Sequence, residues 1–249
     1  MIGINDFTTL TFDCYGTLID WERGIFAELR PWADRHGRQD LNDNVLLETF
    51  GSTEAACELE TPGMLYPQIL EEVHRRLARR WGIRSTVDEV VNFGQSVPRW
   101  PAFDDSAAAL RYLKRYYKLV IFSNVDRASF SKSNEKLGVE FDRIITAQDV
   151  GSYKPDIRNF DYALADLKQS LGVGKDEILH TAQSIFHDVL PAKSVGLKTL
   201  WINRRKDIGG WGATPAPDQE GDAARPDLEV ASMADLVALH QGHLRGAAV

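Results

Sequence analysis

The stretch TLTFDCYGTLID, residues 9–20, decides the fold, because it joins an apolar run to an acid and then to a glycine. We interpret residues 8–13 as a short buried strand that ends in Asp13. The following CYGTL contains Gly16, and a glycine directly after an apolar run favours a turn. A helix is predicted next, over residues 22–36, from apolar residues that recur at helical spacing.

The rest of the chain divides into a helical block and an alternating part. Residues 41–92 show helical patterns, interrupted by the turn signal Thr61-Pro62-Gly63. After Trp100-Pro101, apolar runs alternate with helical spacing. The predicted strands are 119–124, 144–147, 177–182, 197–203 and 227–232, and the predicted helices are 105–117, 158–171 and 233–245. Such alternation indicates a doubly wound parallel sheet, so we predict an α/β core (1–19 and 101–249) with an inserted helical cap (20–100).

Composition limits the kinds of partner. The 249 residues include 36 acidic and 29 basic ones, and the formal net charge is −7. This balance argues against a binder of nucleic acids or anionic membranes, which would carry clustered basic residues. Two cysteines, Cys14 and Cys57, are too few for a disulfide framework. No apolar stretch approaches the roughly 20 residues that span a bilayer, and the N-terminus lacks a signal-peptide pattern, so we expect a cytoplasmic protein.

Residues 206–226 form a long connection that is rich in Gly, Pro, Ala and Asp. One interpretation is a solvated loop, because this composition resembles that of disordered segments. The other is a flap that covers a ligand site. The sequence is compatible with both.

Polar clusters follow four of the predicted strands or turns. They are Asp13 with Thr17, Ser123 with Asn124, Lys154, and Ser184 with Asp188. Taken singly, each has an ordinary explanation as a turn, cap or solvated residue. Ligands of open parallel sheets bind beyond the carboxyl ends of the strands, so we expect the four clusters to meet at one site.

The order and spacing of these clusters resemble the haloacid dehalogenase (HAD) superfamily of hydrolases. The matching segments are FDCYGTLID (12–20), FSN (122–124), YKPDIRNF (153–160), AQSIFHD (182–188) and GLKTLWINR (196–204). The resemblance covers core and cap and implies a Rossmann-like core. It implies that Asp13 attacks the substrate and forms a covalent ester, that Lys154 holds the nucleophile's charge, and that Asp188 helps to activate water. The substrate contacts that we expect are Tyr15, Thr17, Ser123, Asn124 and Ser184.

Position 15 distinguishes two subclasses of this superfamily. Most of its phosphatases have a second Asp two residues after the nucleophile, which protonates the departing alkoxide. Tyr15 stands there instead, and a tyrosine with an ordinary pKa near 10 is a poor acid at neutral pH. A halide leaves as a stable anion and needs no proton. DCYGTLID also looks like the motif of the type II L-2-haloacid dehalogenases, which work without a metal, so we expect no cofactor; a packing role is the alternative for Tyr15.

Three features differ from those dehalogenases. The cap segment LLETFGSTEAACELE (46–60) lacks the Arg that would draw off the halide. Gln183 and Ile185 stand where the fourth motif has Ser and Asn, and Phe160 stands where a Tyr follows the motif lysine. The sequence therefore matches those dehalogenases more closely at the residues expected to perform the reaction than at the residues of the leaving-group pocket.

We predict a hydrolase that cleaves the carbon–halogen bond of a short 2-haloalkanoic acid. The first alternative is a Mg²⁺-dependent phosphatase of a small phosphomonoester, which has the same nucleophile but lacks the usual general acid. The second is a hydrolase of another carbon–heteroatom bond in a small carboxylic acid, and the third is a non-catalytic binding protein that kept the fold. The expected partner is a small carboxylic acid rather than nucleic acid or membrane, and the resemblance suggests a homodimer.

Overall fold

The computed structural model describes residues 2–217 and 221–246. Six strands form one sheet in the order β3-β2-β1-β4-β5-β6, and every neighbouring pair is parallel. The strands are β1 (Thr9–Phe12), β2 (Lys118–Ser123), β3 (Arg143–Thr146), β4 (Ile178–Ala182), β5 (Lys198–Ile202) and β6 (Leu228–Val230). The first strand of the chain therefore lies in the middle of the sheet.

Helices connect the strands and cover both faces of the sheet. They are α1 (Trp21–Arg35), α2 (Asp43–Glu60), α3 (Tyr66–Trp81), α4 (Val87–Gly94), α5 (Ser106–Leu113), α6 (Arg127–Leu137), α7 (Ala147–Val150), α8 (Ile157–Leu171), α9 (Leu190–Ser194) and α10 (Met233–Gly246). Successive side chains of a strand point to opposite faces. Accordingly, Leu119 and Ile121 of β2 belong to one buried apolar cluster, and Val120 and Phe122 belong to the other. The doubly wound α/β fold is confirmed.

The register of the central strands brings their ends to one level. Phe12, the last residue of β1, pairs with Ile121 of β2 and Thr181 of β4. Because all three strands run in parallel, the residues that follow them emerge at the same edge of the sheet. Asp13, Asn124 and the 183–188 segment are brought together by this edge.

Helices α1 to α4 form the helical cap, which is inserted between β1 and the rest of the core. Within α1, a Cβ added at Gly24 would lie 2.3 Å from the Trp100 side chain, so only glycine permits this close packing near the return to the core. No helix within the described residues is both long and apolar enough to cross a membrane.

Three helices were absent from the sequence-based prediction: the short α7 and α9, and the longer α6. Helix α6 buries only Phe130 and Leu137 as large apolar residues, and two serines, Ser129 and Ser133, complete its buried face. Its apolar periodicity is therefore weak. The capping signals were nevertheless present, because the Asp126 side chain accepts a hydrogen bond from the backbone N–H of Ser129, as an N-cap does.

Candidate active site

The Asp13 carboxylate lies just beyond β1 and is held at both of its oxygens. Lys154 Nζ donates to Asp13 Oδ1 at 3.0 Å, and Thr17 Oγ1 donates to Asp13 Oδ2 at 2.9 Å. Thr17 is fixed in turn by the backbone N–H of Gln183, which donates to its hydroxyl oxygen at 2.9 Å. Gly16 makes this turn possible, since its φ of 89° lies in the left-handed region. The segment after β1 therefore aims the carboxylate through a chain of directed hydrogen bonds.

The Lys154 ammonium is buried and uses all three of its protons. Besides Asp13 it donates to Asp188 Oδ1 at 2.5 Å and to the carbonyl oxygen of Phe122 at 2.9 Å. Burial acts to lower the pKa of Lys154, but the charges of Asp13 and Asp188 outweigh it and place the pKa above its ordinary value. Burial also raises the pKa of Asp13, with Lys154 acting in the opposite direction. Lys154 is thus a cation committed to two carboxylates.

Asp188 lies on a π-helical turn, Ile185–Val189, that leads into α9. Its Oδ1 also contacts His180 Nε2 at 3.0 Å, and His180 Nδ1 lies 2.9 Å from Thr11 Oγ1. Burial acts to raise the pKa of Asp188, but Lys154 and His180 lower it to about 2. Asp188 is therefore a permanent anion near neutral pH, and its Oδ2 takes part in no hydrogen bond within the described residues.

The Asn124 amide, beyond β2, joins three parts of the site. Its Oδ1 accepts from the backbone N–H of Lys154 at 2.7 Å, and its Nδ2 donates to the Lys154 carbonyl oxygen at 2.9 Å. The same Nδ2 donates to Glu58 Oε2 in the cap at 3.2 Å. Asn124 thus fixes the backbone that carries the lysine and connects it to helix α2.

Tyr15 is directed away from the nucleophile through its hydroxyl group. Its Oη lies 2.8 Å from Ser133 Oγ, and its ring packs edge-on against Trp100 with centroids 5.6 Å apart. Burial raises the pKa of Tyr15 well above its usual value. The ring lines the cavity, but the phenol is no acid at neutral pH.

The cap contributes two buried acids that the sequence-based prediction did not include. Glu54 and Glu58 lie one turn apart on α2, with only 3 % and 5 % of their surfaces exposed. Tyr66 Oη donates to Glu54 Oε1 at 2.6 Å. Burial raises the pKa of Glu54 to about 8, with the Tyr66 hydrogen bond opposing it. Burial and the neighbouring Glu54 raise the pKa of Glu58 well above its usual value.

Part of the long connection reaches the site: residues 212–214 are buried, whereas residues 206–211 are exposed. Thr214 is buried and its Oγ1 donates to Gln183 Oε1 at 3.1 Å. The approach to the cap is close, because a Cβ added at Gly51 of α2 would lie 1.9 Å from the carbonyl oxygen of Ala213. Of the two interpretations of the long connection, this part of it supports the flap; residues 218–220 lie outside the described residues.

These side chains line a cavity between the sheet edge and the cap. Its lining consists of Asp13, Tyr15, Trp21, Glu54, Glu58, Tyr66, Ser123, Asn124, Lys154, Gln183, Ser184, His187, Asp188 and Thr214. Two buried polar atoms among them, Ser123 Oγ and His187 Nε2, have no hydrogen-bond partner in the described structure. Burial lowers the pKa of His187 to about 4, so its imidazole is neutral at pH 7. Unsatisfied buried groups around a cavity indicate that a polar ligand completes them.

The eight residues predicted from the sequence are brought to this one place. Seven of them line the cavity, and Thr17 touches the nucleophile from behind. Ser184 differs in its contacts, because its Oγ accepts from the backbone N–H of His187 at 2.9 Å and caps the π turn. Its hydroxyl therefore has a structural partner already.

Among the site residues that the sequence-based prediction missed, only the two acids of α2 carried a signal in the sequence. In α2 the acids Glu54 and Glu58 continue the buried stripe that includes Leu47 and Phe50. An acidic residue in the apolar stripe of a helix indicates a functional role, because burying a carboxyl group costs free energy and such a residue is an error of patterning unless it is functional. Thr214 gave no such signal, since it lies in a connection without periodicity. Within the described residues, no group of three or more His, Cys, Asp or Glu side chains is arranged to hold a metal ion.

Comparisons with known proteins identify relatives of this chain. The family model of haloacid dehalogenase-like hydrolases matches residues 7–196. An (S)-2-haloacid dehalogenase of Pseudomonas putida is 27 % identical over 216 residues, which are 83 % of this chain and 90 % of that protein. A second (S)-2-haloacid dehalogenase of Pseudomonas putida is 33 % identical over 106 residues, which are 41 % of this chain and 44 % of that protein.

Solved structures of similar fold come from more than one kind of protein. The L-2-haloacid dehalogenase of Xanthobacter autotrophicus, with chloropropionic acid covalently bound, has a TM-score of 0.73 at 21 % identity and covers 95 % of this chain and 99 % of its own. A HAD-hydrolase of Bacillus subtilis bound to magnesium has a TM-score of 0.71 at 19 % identity, with 94 % and 98 % covered. At these identities the likeness establishes the fold alone. With the family model matching most of the length, the chain belongs to the haloacid dehalogenase-like hydrolases.

Proposed function

We propose that this hydrolase cleaves the carbon–halogen bond of a short 2-haloalkanoic acid through an ester on Asp13. The observation that carries the proposal is the way in which the Asp13 carboxylate and the Tyr15 hydroxyl group are held beside the cavity. The Asp13 carboxylate is oriented by Lys154 and Thr17, while the neighbouring Tyr15 hydroxyl bonds to Ser133 instead of serving as an acid. A site with an aimed nucleophile and no adjacent proton donor suits a leaving group that departs as a stable anion.

In the first step an oxygen of Asp13 attacks the carbon that bears the halogen, from the side opposite to it. The carbon–halogen bond breaks, its electron pair leaves with the halide, and an ester forms. Ser123, whose buried hydroxyl has no partner in the described residues, is placed to donate to the substrate carboxylate. Holding both reactants in one orientation supplies much of the rate.

In the second step water attacks the ester carbonyl carbon of Asp13 and releases the hydroxy acid. We assign Asp188 to accept a hydrogen bond from this water and so to orient it. Its Oδ2 makes no hydrogen bond within the described residues, and its low pKa keeps it anionic. Lys154 stabilises the negative charge that develops on the carbonyl oxygen. The carbon is inverted once, so the product has the opposite configuration.

The Mg²⁺-dependent phosphatase is supported less well by the residues present. The position of the second carboxylate is occupied by Tyr15, whose hydroxyl lies 2.8 Å from Ser133 Oγ. The Oδ1 atoms of Asp13 and Asp188 both accept from Lys154, which competes with a cation for them. Hard divalent cations require several oxygen ligands, and this donor set does not fit one.

Single-turnover hydrolysis in ¹⁸O-labelled water tests the proposal. With excess enzyme and 2-chloropropionate, we expect the label in the peptide that contains Asp13, because water attacks that side chain's carbonyl carbon. Label found directly in the hydroxy acid, with none in the peptide, contradicts the ester mechanism. A parallel assay compares 2-chloropropionate with EDTA against p-nitrophenyl phosphate with Mg²⁺. Faster phosphatase turnover that EDTA abolishes favours the alternative.

A further inference from the structure

The Glu58 carboxyl lines the same cavity as the Asp13 carboxylate and forms no salt bridge within the described residues. Its Oε2 accepts from Asn124, and its Oε1 takes part in no hydrogen bond within residues 2–217 and 221–246. The nearest ammonium group of the site, on Lys154, has already committed its three protons to Asp13, Asp188 and the Phe122 carbonyl oxygen. A buried carboxylate without a cation costs more than a buried neutral carboxylic acid, although the free O–H of the acid still lacks a partner.

Asn124 determines which oxygen of Glu58 can carry a proton. Its Nδ2 donates to Oε2, so that oxygen serves as the acceptor. The proton of a neutral Glu58 then resides on Oε1, the oxygen without a protein partner. A second cavity shares Glu58, Lys154 and His187 with the first, so Glu58 lies where the two cavities join.

The charge of the substrate favours the neutral acid further. The core residues Asp13, Asp188 and Lys154 already sum to one negative charge, and two ionised cap acids would raise this to three. A haloalkanoate is itself an anion and would be repelled by such a cavity. When Glu54 and Glu58 are neutral, the cap instead offers their O–H groups as hydrogen-bond donors to a substrate bound next to Asp13.

We propose that the carboxylic acid of Glu58 donates a hydrogen bond to the departing atom, so that the site accepts leaving groups, fluoride above all, that depart poorly without such help. This inference rests on the proposed function. When Asp13 attacks, the carbon–halogen bond breaks and the electron pair goes to the halide, which the Glu58 O–H stabilises without giving up its proton. During hydrolysis of the ester, one water proton joins the hydroxy acid and the other is released.

Other titrating and charged groups surround Glu58. They are Glu54 and Cys57 on its own helix, Tyr66 on α3, Tyr153, Lys154, Asp156 and Arg158 near the start of α8, His187 and Asp188 on the π turn, and Asp13 after β1. Apart from Lys154 and the exposed Arg158, these groups are neutral or anionic at pH 7. The surroundings therefore favour the protonated form of Glu58 over the ionised form.

The test compares three leaving groups across matched variants. Rates of halide release from 2-fluoro-, 2-chloro- and 2-bromopropionate are measured for the wild type, Glu58→Gln, Glu58→Leu and Glu48→Leu. Glu48 is an exposed acid of the same helix and lies outside the cavity. Removal of one preorganised donor costs about 10²–10³ in rate, so we expect Glu58→Leu to lose about a hundredfold with the fluoro acid. With the bromo acid we expect a loss of less than about tenfold, because bromide needs little help.

Glu58→Gln keeps an N–H donor, so we expect it to restore most of the fluoride release that Glu58→Leu loses. Because the neutral form of Glu58 is the active one, wild-type defluorination should fall as pH rises through the pKa of Glu58, and Glu58→Gln should lose this alkaline limb. An equal loss with all three halogens overturns the inference, as does a glutamine variant no better than the leucine one. If the wild type releases no halide from any of the acids, the proposed function fails and this inference fails with it.

Discussion

Replacing Lys154 by methionine removes the cation between two buried carboxylates and keeps most of the side-chain volume. Lys154 Nζ lies 3.0 Å from Asp13 Oδ1 and 2.5 Å from Asp188 Oδ1, and the lysine side chain is completely buried. Breaking a buried ion pair leaves an uncompensated charge and costs about 3–5 kcal/mol. We therefore expect Lys154→Met to lower the free energy of unfolding by about 3–5 kcal/mol at pH 7, and to abolish turnover.

Urea denaturation at several pH values measures this loss and its cause. Without the ammonium group, the pKa values of both carboxyls in the folded protein rise above the unfolded value of about 4. The deficit is then complete at pH 7 and shrinks as pH falls through the raised values, where the folded state takes up protons. Adding Asp13→Asn to Lys154→Met removes one of the two charges and should restore part of the stability.

An exposed lysine provides the matched control for this prediction. Lys132 pairs with Glu135 at 2.7 Å on α6, and both side chains are more than half exposed. Surface pairs contribute about 0–1 kcal/mol, so we expect Lys132→Met to change the unfolding free energy by less than that. A deficit for Lys154→Met as small as the control's, or one that grows as pH falls, would refute the reasoning.

Two further predictions concern the flap and the fourth motif. Gly51→Ala places a Cβ 1.9 Å from the Ala213 carbonyl oxygen, so we expect the connection to shift, Thr214 to leave the cavity and KM to rise, with a loss of about 1–3 kcal/mol in a thermal melt; an unchanged KM contradicts this. The pKa of Asp188 falls from 3.8 to about 2 on folding, so its stabilising effect is present above about pH 4 and is lost as pH falls through about 2. Asp188→Asn should flatten the stability curve in that interval, which acid titration followed by circular dichroism checks.

The core half of the site could be predicted from the sequence because parallel strands determine where their ends meet. Asp13, Ser123 and Asn124 follow β1 and β2, and Asp188 follows β4, so the topology alone places them at one edge. Local patterns sufficed for this, since each strand is a short apolar run bounded by polar residues. What the sequence did not give is the sharing of Lys154 between two carboxylates, which depends on the exact path of the chain before α8.

The cap half of the site could not be predicted in the same way. Its contribution depends on how α2 is rotated over the sheet edge, and periodicity gives the stripe of a helix but not the surface that the stripe meets. The absence of an Arg from residues 46–60 was visible in the sequence, but the burial of Glu54 and Glu58 against the site was not predicted. Thr214 belongs to a connection whose position follows from tertiary contacts, above all the close approach to Gly51.

The two departures from the pattern of the resembled families are connected physically. A proton donor at position 15 would lie on the core beside Asp13, but the Tyr15 hydroxyl is held by Ser133. The carboxyl of Glu58 lies on cap helix α2 instead, lines the same cavity as Asp13, and is joined to the core by one hydrogen bond from Asn124. Displacement at phosphorus, like displacement at carbon, expels the leaving group roughly in line with the attacking oxygen and on the side opposite to it. In the proposed dehalogenation the leaving atom therefore departs away from Asp13, and the Glu58 carboxyl on the cap is the donor that we propose for it. With no acid at position 15 and a neutral carboxyl group proposed at position 58, the leaving atom would receive a hydrogen bond rather than a proton, which suits a halide and not an alkoxide.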